Sequence, residues 1–287
     1  MKVLTDKVTL YFHLSTYKTV TSMTRPIILI TGASAGLGAA LAREYASRGW
    51  DLVLCARRVA PMKALAKELK ETFEAESHVF KSDLFEDKAV DKLMTAIEKK
   101  SIQIDGLINN AGYGHPGQYL ESDWEAHQNF IHLMATVPCE LARKLAPAMV
   151  ERGFGRIMNV ASLAGHMPGS KGHTLYAAVK AFLIKFSESL NAELDGTGVH
   201  VSALCPGFTM TEFHDVNGTR EAMNNLPDYM MMDADVCAEM AYEALERNHA
   251  VFISGRVNKF IALLGRALPM TVTQKLMARN SEKFRKV

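Results

Sequence analysis

Two patterns of apolar and polar residues alternate along this chain. From Pro26 onward, short runs that are apolar throughout are separated by longer amphipathic stretches. A short apolar run is typical of a buried strand, whereas apolar residues three and four positions apart are typical of a helix. The runs predict strands over 27–30, 52–55, 78–80, 104–108, 156–160, 199–204 and 251–254. The stretches between them predict helices over 36–48, 61–73, 87–99, 124–150, 174–194 and 233–247.

This alternation indicates an α/β fold. Seven strands that are apolar on both faces predict a parallel sheet covered by helices on both sides. Right-handed crossovers make it a single doubly wound, Rossmann-like domain, which we expect over residues 25–255. Residues 1–24 are rich in hydroxyl side chains, and we expect a disordered extension or a true start at Met23. Residues 256–287 form a basic amphipathic extension, which we expect on or near the substrate site.

Composition excludes several classes of function. The formal net charge is only +2, and no aromatic residues interleave with a basic block, so we expect no nucleic-acid partner. The four cysteines lie far apart, which argues against a disulfide framework or a zinc site and favours the cytoplasm. No segment approaches the roughly 18 consecutive apolar residues of a transmembrane helix.

In a doubly wound sheet, ligands bind beyond the carboxyl ends of the strands, so the residues that follow each run are the candidates. The first run leads into a glycine-rich turn that contains Gly32, Ser34, Gly36, Leu37 and Gly38. Such a turn lets the backbone approach a pyrophosphate at a helix N-terminus, although a plain glycine turn would look the same.

The second run ends at Arg57 and Arg58, where an acidic residue would bind a ribose 2′-hydroxyl. Arginines there favour NADP(H) over NAD(H), unless both are simply solvated. Asp83 and Leu84 follow the third run, and Asn110, Ala111 and Gly112 follow the fourth. Small and amide residues allow close packing beside a flat ring system, so we expect both turns to line the same site.

The fifth run is followed by Ser162, and Tyr176 and Lys180 come later on a predicted helix. The spacing of four puts Tyr176 and Lys180 on one helix face. A neighbouring ammonium, with the positive charge of an oxidised nicotinamide, would lower the tyrosine pKa from about 10 and prepare a general acid or base. The Ser162 hydroxyl could hold the same substrate oxygen. An exposed helical pair is the alternative.

Together, these motifs resemble the classical short-chain dehydrogenase/reductase family over about residues 25–255. They are TGASAGLG, NNAG, the serine, YAAVK and the CPG segment with its two following threonines. The resemblance implies hydride transfer between NADP(H) and a carbonyl or alcohol, with Tyr176 exchanging the proton, Lys180 holding the ribose and Ser162 orienting the substrate. It also implies cofactor contacts at Asp83, Leu84, Asn110, Ala111, Gly112, Pro206, Gly207, Thr209 and Thr211. Family members are often homo-oligomers.

Two features depart from the family pattern. The family has an asparagine in the long helix predicted over 124–150 that helps to relay protons to the lysine, and His132 stands at that position here. We expect His132 to act in an altered relay, or to be a packed histidine without a role. The spacing from Ser162 to Tyr176 is one residue longer than usual, and we expect an insertion around residues 170–172.

The last segments bear on the substrate. Residues 210–232 correspond to the family's variable lid and are rich in methionine, which suits an adaptable apolar pocket, an ordinary core or a subunit contact. The basic tail suits either packing over the pocket or peripheral contact with an anionic membrane. We therefore expect a lipophilic carbonyl or alcohol substrate. The alternatives are an epimerase or dehydratase, and a non-enzymatic cofactor-sensing protein.

Overall fold

A seven-stranded sheet forms the centre of the computed structural model, which describes residues 25–114, 118–169, 174–209, 231–269 and residue 273. The strands are β1 (Ile27–Thr31), β2 (Asp51–Ala56), β3 (Ser77–Lys81), β4 (Gly106–Asn109), β5 (Gly155–Val160), β6 (Val199–Cys205) and, after two short strands, β9 (Val251–Ile253). Their order in the sheet is β3-β2-β1-β4-β5-β6-β9, and every neighbouring pair is parallel. The predicted doubly wound sheet is thereby confirmed.

The order of the strands reverses direction between β1 and β4. The chain winds outward from β1 to β3, returns to β4 beside β1, and then winds outward the other way. Ile28 lies opposite Gly106 in the register of this central pair. A reversal of this kind opens a crevice beyond the carboxyl ends of the two strands. The glycine-rich turn after β1 and the segment after β4 therefore meet there.

Helices cover both faces of the sheet. They are α1 (Gly36–Ser47), α2 (Val59–Phe73), α3 (Ala89–Glu98), α4 (Trp124–Ile131), α5 (Val137–Arg152), α6 (Thr174–Glu193), α7 (Ala234–Glu246) and α8 (Arg256–Ala267). A core of buried side chains joins α1, α2 and α7 to one sheet face. A second core joins α3 and α5 to the other face. Burial of apolar side chains on both sides explains why the strands are apolar throughout.

Several shorter elements complete the fold. Two two-residue strands, β7 (Phe208–Thr209) and β8 (Met231–Met232), pair in parallel, and short 3₁₀ helices cover Tyr119–Glu121 and Leu163–His166. None of the helices in the described ranges combines the length and apolarity that crossing a bilayer requires. Several of our expectations concern residues outside these ranges: the extension over 1–24, the insertion around 170–172, the lid over 210–230, Thr211 and the chain beyond 273.

One predicted helix differs from the structure. The apolar periodicity predicts a continuous helix over 124–150, but a π-helical segment, His132–Thr136, separates α4 from α5. A π turn holds more residues than an α turn, so it changes the direction of the side chains that follow. Segments of this kind occur frequently at functional sites. This one lies next to the predicted catalytic tyrosine.

Candidate active site

The glycine-rich turn and the end of β4 are joined by a network of hydrogen bonds. The Asn110 amide donates to the backbone oxygens of Thr31 and Gly32, at 3.0 and 3.2 Å. The backbone N–H groups of Asn110 and Ala111 each donate to the Thr31 hydroxyl at 3.0 Å. A Cβ on Gly32 would lie 2.8 Å from the Asn110 amide nitrogen, and Gly32 has a φ of +68°. Both conditions require glycine at this position.

The start of α1 has open N–H groups. Ala35 occupies the N-cap without a side-chain hydrogen bond, and the first turn of the helix contains no acidic residue. The unpaired N–H groups of a helix N-terminus carry partial positive charge, so an anion is stabilised there. Of the other predicted residues, Gly36 and Leu37 begin the helix and Gly38 is buried behind them. This turn is therefore shaped to hold a phosphate.

Two arginines extend the positive charge beyond the turn. The Arg58 guanidinium lies 3.3–3.4 Å from the Ser34 hydroxyl oxygen, within the glycine-rich turn. Arg57 lies over the ring of Phe85, 5.8 Å from its centroid. Asp83 accepts a hydrogen bond from the backbone N–H of Phe85, and Leu84 is buried. The ends of β2 and β3 are thus joined beside the turn through Arg57 and Phe85.

Ser162, Tyr176 and Lys180 come together at the carboxyl end of β5. Ser162 caps the 3₁₀ helix that follows, since its hydroxyl oxygen accepts from the Ala164 backbone N–H at 3.1 Å. The same hydroxyl is hydrogen-bonded to the Tyr176 side chain. The Lys180 ammonium lies 5.7 Å from the centroid of the Tyr176 ring. A hydroxyl pair with a cation at this distance can hold a carbonyl oxygen and exchange a proton with it.

The charges of this group depend strongly on burial. Burial lowers the pKa of Lys180 to about 8, because the ammonium is removed from water without a paired carboxylate. Burial raises the pKa of Tyr176, and the hydrogen bond from Ser162 offsets part of the rise. The sequence predicted a lowered tyrosine pKa in the presence of a nicotinamide charge. Without that charge, burial is the largest influence on the pKa of Tyr176 and raises it, so the protein alone holds a neutral phenol.

The structure does not bring His132 to this group. His132 lines a surface depression of about 520 Å³, together with Phe85, Asp87, Trp124, Glu125, Gln128 and Asn129. Among the described contacts, no hydrogen bond joins His132 to Tyr176 or Lys180. Instead, Met134 packs with Phe130 and Val179 against Tyr176. The histidine relay therefore stays a prediction, and the apolar Met134 side chain packs against the tyrosine.

The sequence reasoning missed this apolar wall. Phe130 and Met134 are 0% and 2% exposed, and Tyr113 and Leu175 pack against the same cluster. The spacing of four between Phe130 and Met134 predicts only a buried helix face. The signal that was available is Gly112, where a Cβ would lie 2.6 Å from the Met134 sulfur. A glycine after the paired asparagines thus makes room for this methionine.

The segment after β6 closes the other side of the site. The Pro206 backbone oxygen accepts from the Leu163 N–H at 2.8 Å, which joins this segment to the residues after Ser162. Gly207 contacts Asn258 on α8, and Thr209 is buried. The described residues that were predicted from the strand ends thus lie along one edge of the sheet.

Comparison with known proteins agrees with this geometry. The family model described as short chain dehydrogenase matches residues 26–222. A sulfoacetaldehyde reductase from Chromohalobacter salexigens is 36% identical over 191 residues, which cover 65% of this chain and 73% of the relative.

Two solved structures are also similar. A short-chain dehydrogenase from Sphingobium yanoikuyae in complex with NADPH is 33% identical, with a TM-score of 0.74 and coverage of 84% of this chain and 93% of that one. An alcohol dehydrogenase from Comamonas testosteroni, described as specific for bulky-bulky ketones, is 32% identical, with a TM-score of 0.72 and coverage of 85% and 92%. The substrates named for these relatives differ widely in size and polarity.

Proposed function

The chain belongs to the short-chain dehydrogenase family and has its oxidoreductase fold. From that premise we propose that it reduces lipophilic carbonyl compounds with NADPH, or oxidises the corresponding alcohols with NADP⁺. The observation that carries the proposal is the hydrogen-bonded pair of Ser162 and Tyr176 beside Lys180. This group lies at the same sheet edge as the glycine-rich turn. A cofactor held by the turn would then lie at the same edge of the sheet as a substrate oxygen bound by the two hydroxyls.

The chain's own residues supply the proton chemistry. The Ser162 and Tyr176 hydroxyls donate hydrogen bonds to the substrate carbonyl oxygen and hold its carbon in place. Tyr176 gives its proton to that oxygen in the reducing direction and takes it back in the oxidising direction. A neutral phenol suits reduction, because burial raises its pKa and keeps the proton available. The Lys180 ammonium stabilises the phenolate that remains.

The residues of the turn fit a nicotinamide dinucleotide. The open N-terminus of α1 and the small turn residues suit a pyrophosphate, and the cofactor, when bound, supplies or accepts the hydride. The preference for NADP(H) rests on Arg57 and Arg58. Arg58 lies against Ser34, and the end of β2 has no acidic residue that would repel a 2′-phosphate. The NADPH-bound relative supports the same preference.

The substrate class follows from the wall beside Tyr176. Phe130, Met134 and Val179 are apolar, and Tyr113 and Leu175 extend the same surface. Phe130, Met134 and Val179 are buried behind Tyr176, so the half-buried Tyr113 and Leu175 form the part of this wall that a substrate can contact. These two side chains suit a bulky apolar substituent on the carbonyl carbon. The ketone-specific relative supports a bulky substrate. A small anionic aldehyde would suit this wall poorly, because the side chains of the wall offer no cation to a charged substrate.

The remaining parts of the proposal concern the setting of the protein. We expect a homo-oligomer, as is common in the family, and a small-molecule substrate with no nucleic-acid partner. The cytoplasm is the expected compartment because the four cysteines are well separated in the sequence.

An NADPH-oxidation screen tests this function. Matched pairs of a short polar and a bulky apolar carbonyl compound would be compared for kcat/KM, with NADPH and NADH in turn. We expect the bulky apolar member to be preferred by about tenfold or more, since each added methylene group contributes about 0.8 kcal/mol when buried. Equal rates within each pair would contradict the substrate class. Oxidation of NADH at the rate of NADPH would contradict the cofactor preference.

A further inference from the structure

Helix α8 presents four large apolar side chains to solvent, whereas Asn258 and Ala262 face the protein. Asn258 and Ala262 are 5% and 2% exposed. Phe260 and Leu263 are 60% and 61% exposed, and Val257 and Leu264 are also exposed. A helix on the surface of a globular protein normally has the opposite arrangement. The outward face of α8, defined by Val257, Phe260, Leu263 and Leu264, therefore needs a separate explanation.

Contacts of the inward face fix this orientation. The Asn258 amide donates to the Ser254 backbone oxygen at 2.7 Å, and the same side chain contacts Gly207, where a Cβ would collide with it. About two turns later, Gly265 lies against Met167, whose sulfur would be 3.3 Å from an added Cβ. Rotation of the helix would break the amide hydrogen bond and place a large side chain against Gly207. The outward apolar face is thus a fixed part of the fold.

The charge around this face has one sign. Residues 256–269 contain Arg256, Lys259 and Arg266 and no acidic residue. Residues 270–287 add five basic residues and one acidic residue, Glu282. Arg256 and Lys259 are exposed, and at about 100° per residue Lys259 lies beside one edge of the apolar face while Arg256 lies within it, next to Leu263. Apolar side chains bordered by cations are the features of helices that lie in the interface of an anionic bilayer.

We propose that the outward face of α8 docks this protein on an anionic membrane surface. Phe260, Leu263 and Leu264 enter the boundary between headgroups and acyl chains, while Arg256 and Lys259 contact lipid phosphates. The contact is peripheral, since no helix in the described part of the chain can span a bilayer.

Two other occupants fit the charge less well. A second copy of α8 on this face would bring only cations against cations, because the helix carries no acidic residue, and like charges across an interface are unfavourable. The chain's own residues 270–287 carry the same sign of charge as α8. An anionic lipid surface complements both the apolar and the positive character of the helix.

Docking would also bring the active site close to the bilayer. Through Gly207 and Met167, α8 contacts the segments that flank Ser162. A substrate dissolved in the membrane would then enter beside the helix. This route of substrate entry rests on the proposed function. Docking on the membrane does not, and the binding of vesicles can be measured without enzyme turnover.

The test is sedimentation of the full chain with vesicles of phosphatidylcholine alone, and with vesicles of phosphatidylcholine and phosphatidylglycerol in equal parts. We expect binding to the mixed vesicles and little to the neutral ones, with a loss at high salt. The double variant Phe260→Ser/Leu263→Ser should weaken binding by about tenfold or more, because two apolar side chains lose their burial. Lys259→Gln and Arg256→Gln should each weaken it by about fivefold.

Two control variants match these changes elsewhere on the surface. Leu120→Ser removes a side chain that is 92% exposed, and Lys63→Gln removes an exposed cation on α2. Both should bind vesicles as the unchanged protein does, and thermal melts should show that every variant is folded. The proposal is overturned if the mixed vesicles are not bound, or if Phe260→Ser/Leu263→Ser binds them equally well. It is also overturned if sedimentation velocity without lipid shows a dimer that only the α8 variants dissociate.

Discussion

The Lys180 ammonium donates a hydrogen bond to the backbone oxygen of Val160, at 2.7 Å. Val160 is the last residue of β5, so this bond ties α6 to the strand that leads into Ser162. The lysine side chain is only 7% exposed. Its charge is therefore held in place by the backbone of the sheet rather than by a carboxylate, and the burial of that charge has a cost in stability.

That cost predicts a stabilising substitution at Lys180. The pKa of the ammonium is 10.5 in water and about 8 in the folded protein. Below about pH 8, Lys180 is protonated in both the folded and the unfolded protein, and burial of its charge destabilises the fold fully. Between about pH 8 and 10.5 the unfolded chain binds more protons than the folded one, so the free energy of unfolding rises with pH. Lys180→Met should therefore raise the free energy of unfolding at about pH 7 by about 1–2 kcal/mol, after subtraction of the lost hydrogen bond to Val160.

Urea denaturation of the cofactor-free protein at about pH 7 and about pH 10 measures this effect. The gain should be largest at the lower pH and should shrink at the higher one. Lys185→Met is the matched control on α6, because that side chain is 76% exposed, and it should give no comparable gain. A Lys180→Met protein that is less stable by the same amount at both values would contradict a buried, unpaired ammonium.

Much of the fold could be predicted from the sequence, because the apolar runs of a sheet buried on both faces are unmistakable. The site residues after β1, β4 and β5 could be located for a related reason: parallel strands place all their carboxyl ends at one edge. The position of His132 could not be found in this way. Apolar periodicity shows which residues are buried, but it does not show where a π turn, His132–Thr136, redirects the helix.

The orientation of α8 was equally hidden. The alternation of apolar and basic residues from Arg256 onward is compatible with two structures: a helix packed on the domain, and a helix bound to a membrane surface. The contact that decides the direction of the helix joins Asn258 to Gly207, which are 51 positions apart. Local patterns carry no information on a contact of that range.

The two residues of the π segment should differ in their effect on catalysis. His132 lines the surface depression, so His132→Ala should change kcat by less than about threefold and leave the pH profile as it was. Met134 is buried against Tyr176, so Met134→Ala should lower stability by about 2–4 kcal/mol and reduce kcat/KM for bulky substrates. Steady-state kinetics over a pH series compares them. A shifted pH profile in His132→Ala alone would restore the histidine relay.

Arg57 and Arg58 should determine the choice of cofactor. Replacing both by Ala should weaken NADPH binding by about 150-fold or more, since each arginine that contacts the 2′-phosphate contributes about 1.5–3 kcal/mol. NADH binding should change by less than about threefold, because it has no group at that position. Fluorescence titration with each cofactor gives both constants. The control is Arg43→Ala, which removes an exposed arginine paired with Glu68. Equal losses of NADPH and NADH affinity in the double variant would contradict the role of these arginines in cofactor choice.

The buried amides beneath the site should contribute to stability rather than to chemistry. The Asn109 amide donates to the Asn159 side-chain oxygen at 2.8 Å, and the Asn159 amide donates to the Ser187 hydroxyl at 2.9 Å. Asn159→Leu would leave the Asn109 amide with one hydrogen bond fewer in a dry interior, so we expect a loss of about 2–4 kcal/mol in the free energy of unfolding. Ordinary stability in this variant would show that the network is dispensable.

The most direct measurement concerns the Tyr176 hydroxyl. Tyr176→Phe keeps the ring, its packing against Phe130 and Met134, and its distance from the Lys180 ammonium, and it removes only the proton donor. Single-turnover oxidation of NADPH with the best carbonyl substrate should slow by about 1000-fold or more, as general acid catalysis combined with positioning requires. NADPH affinity and melting temperature should be unchanged, and Tyr242→Phe on α7 should behave as the unchanged protein. A Tyr176→Phe enzyme that turns over within about threefold of the original would contradict the account.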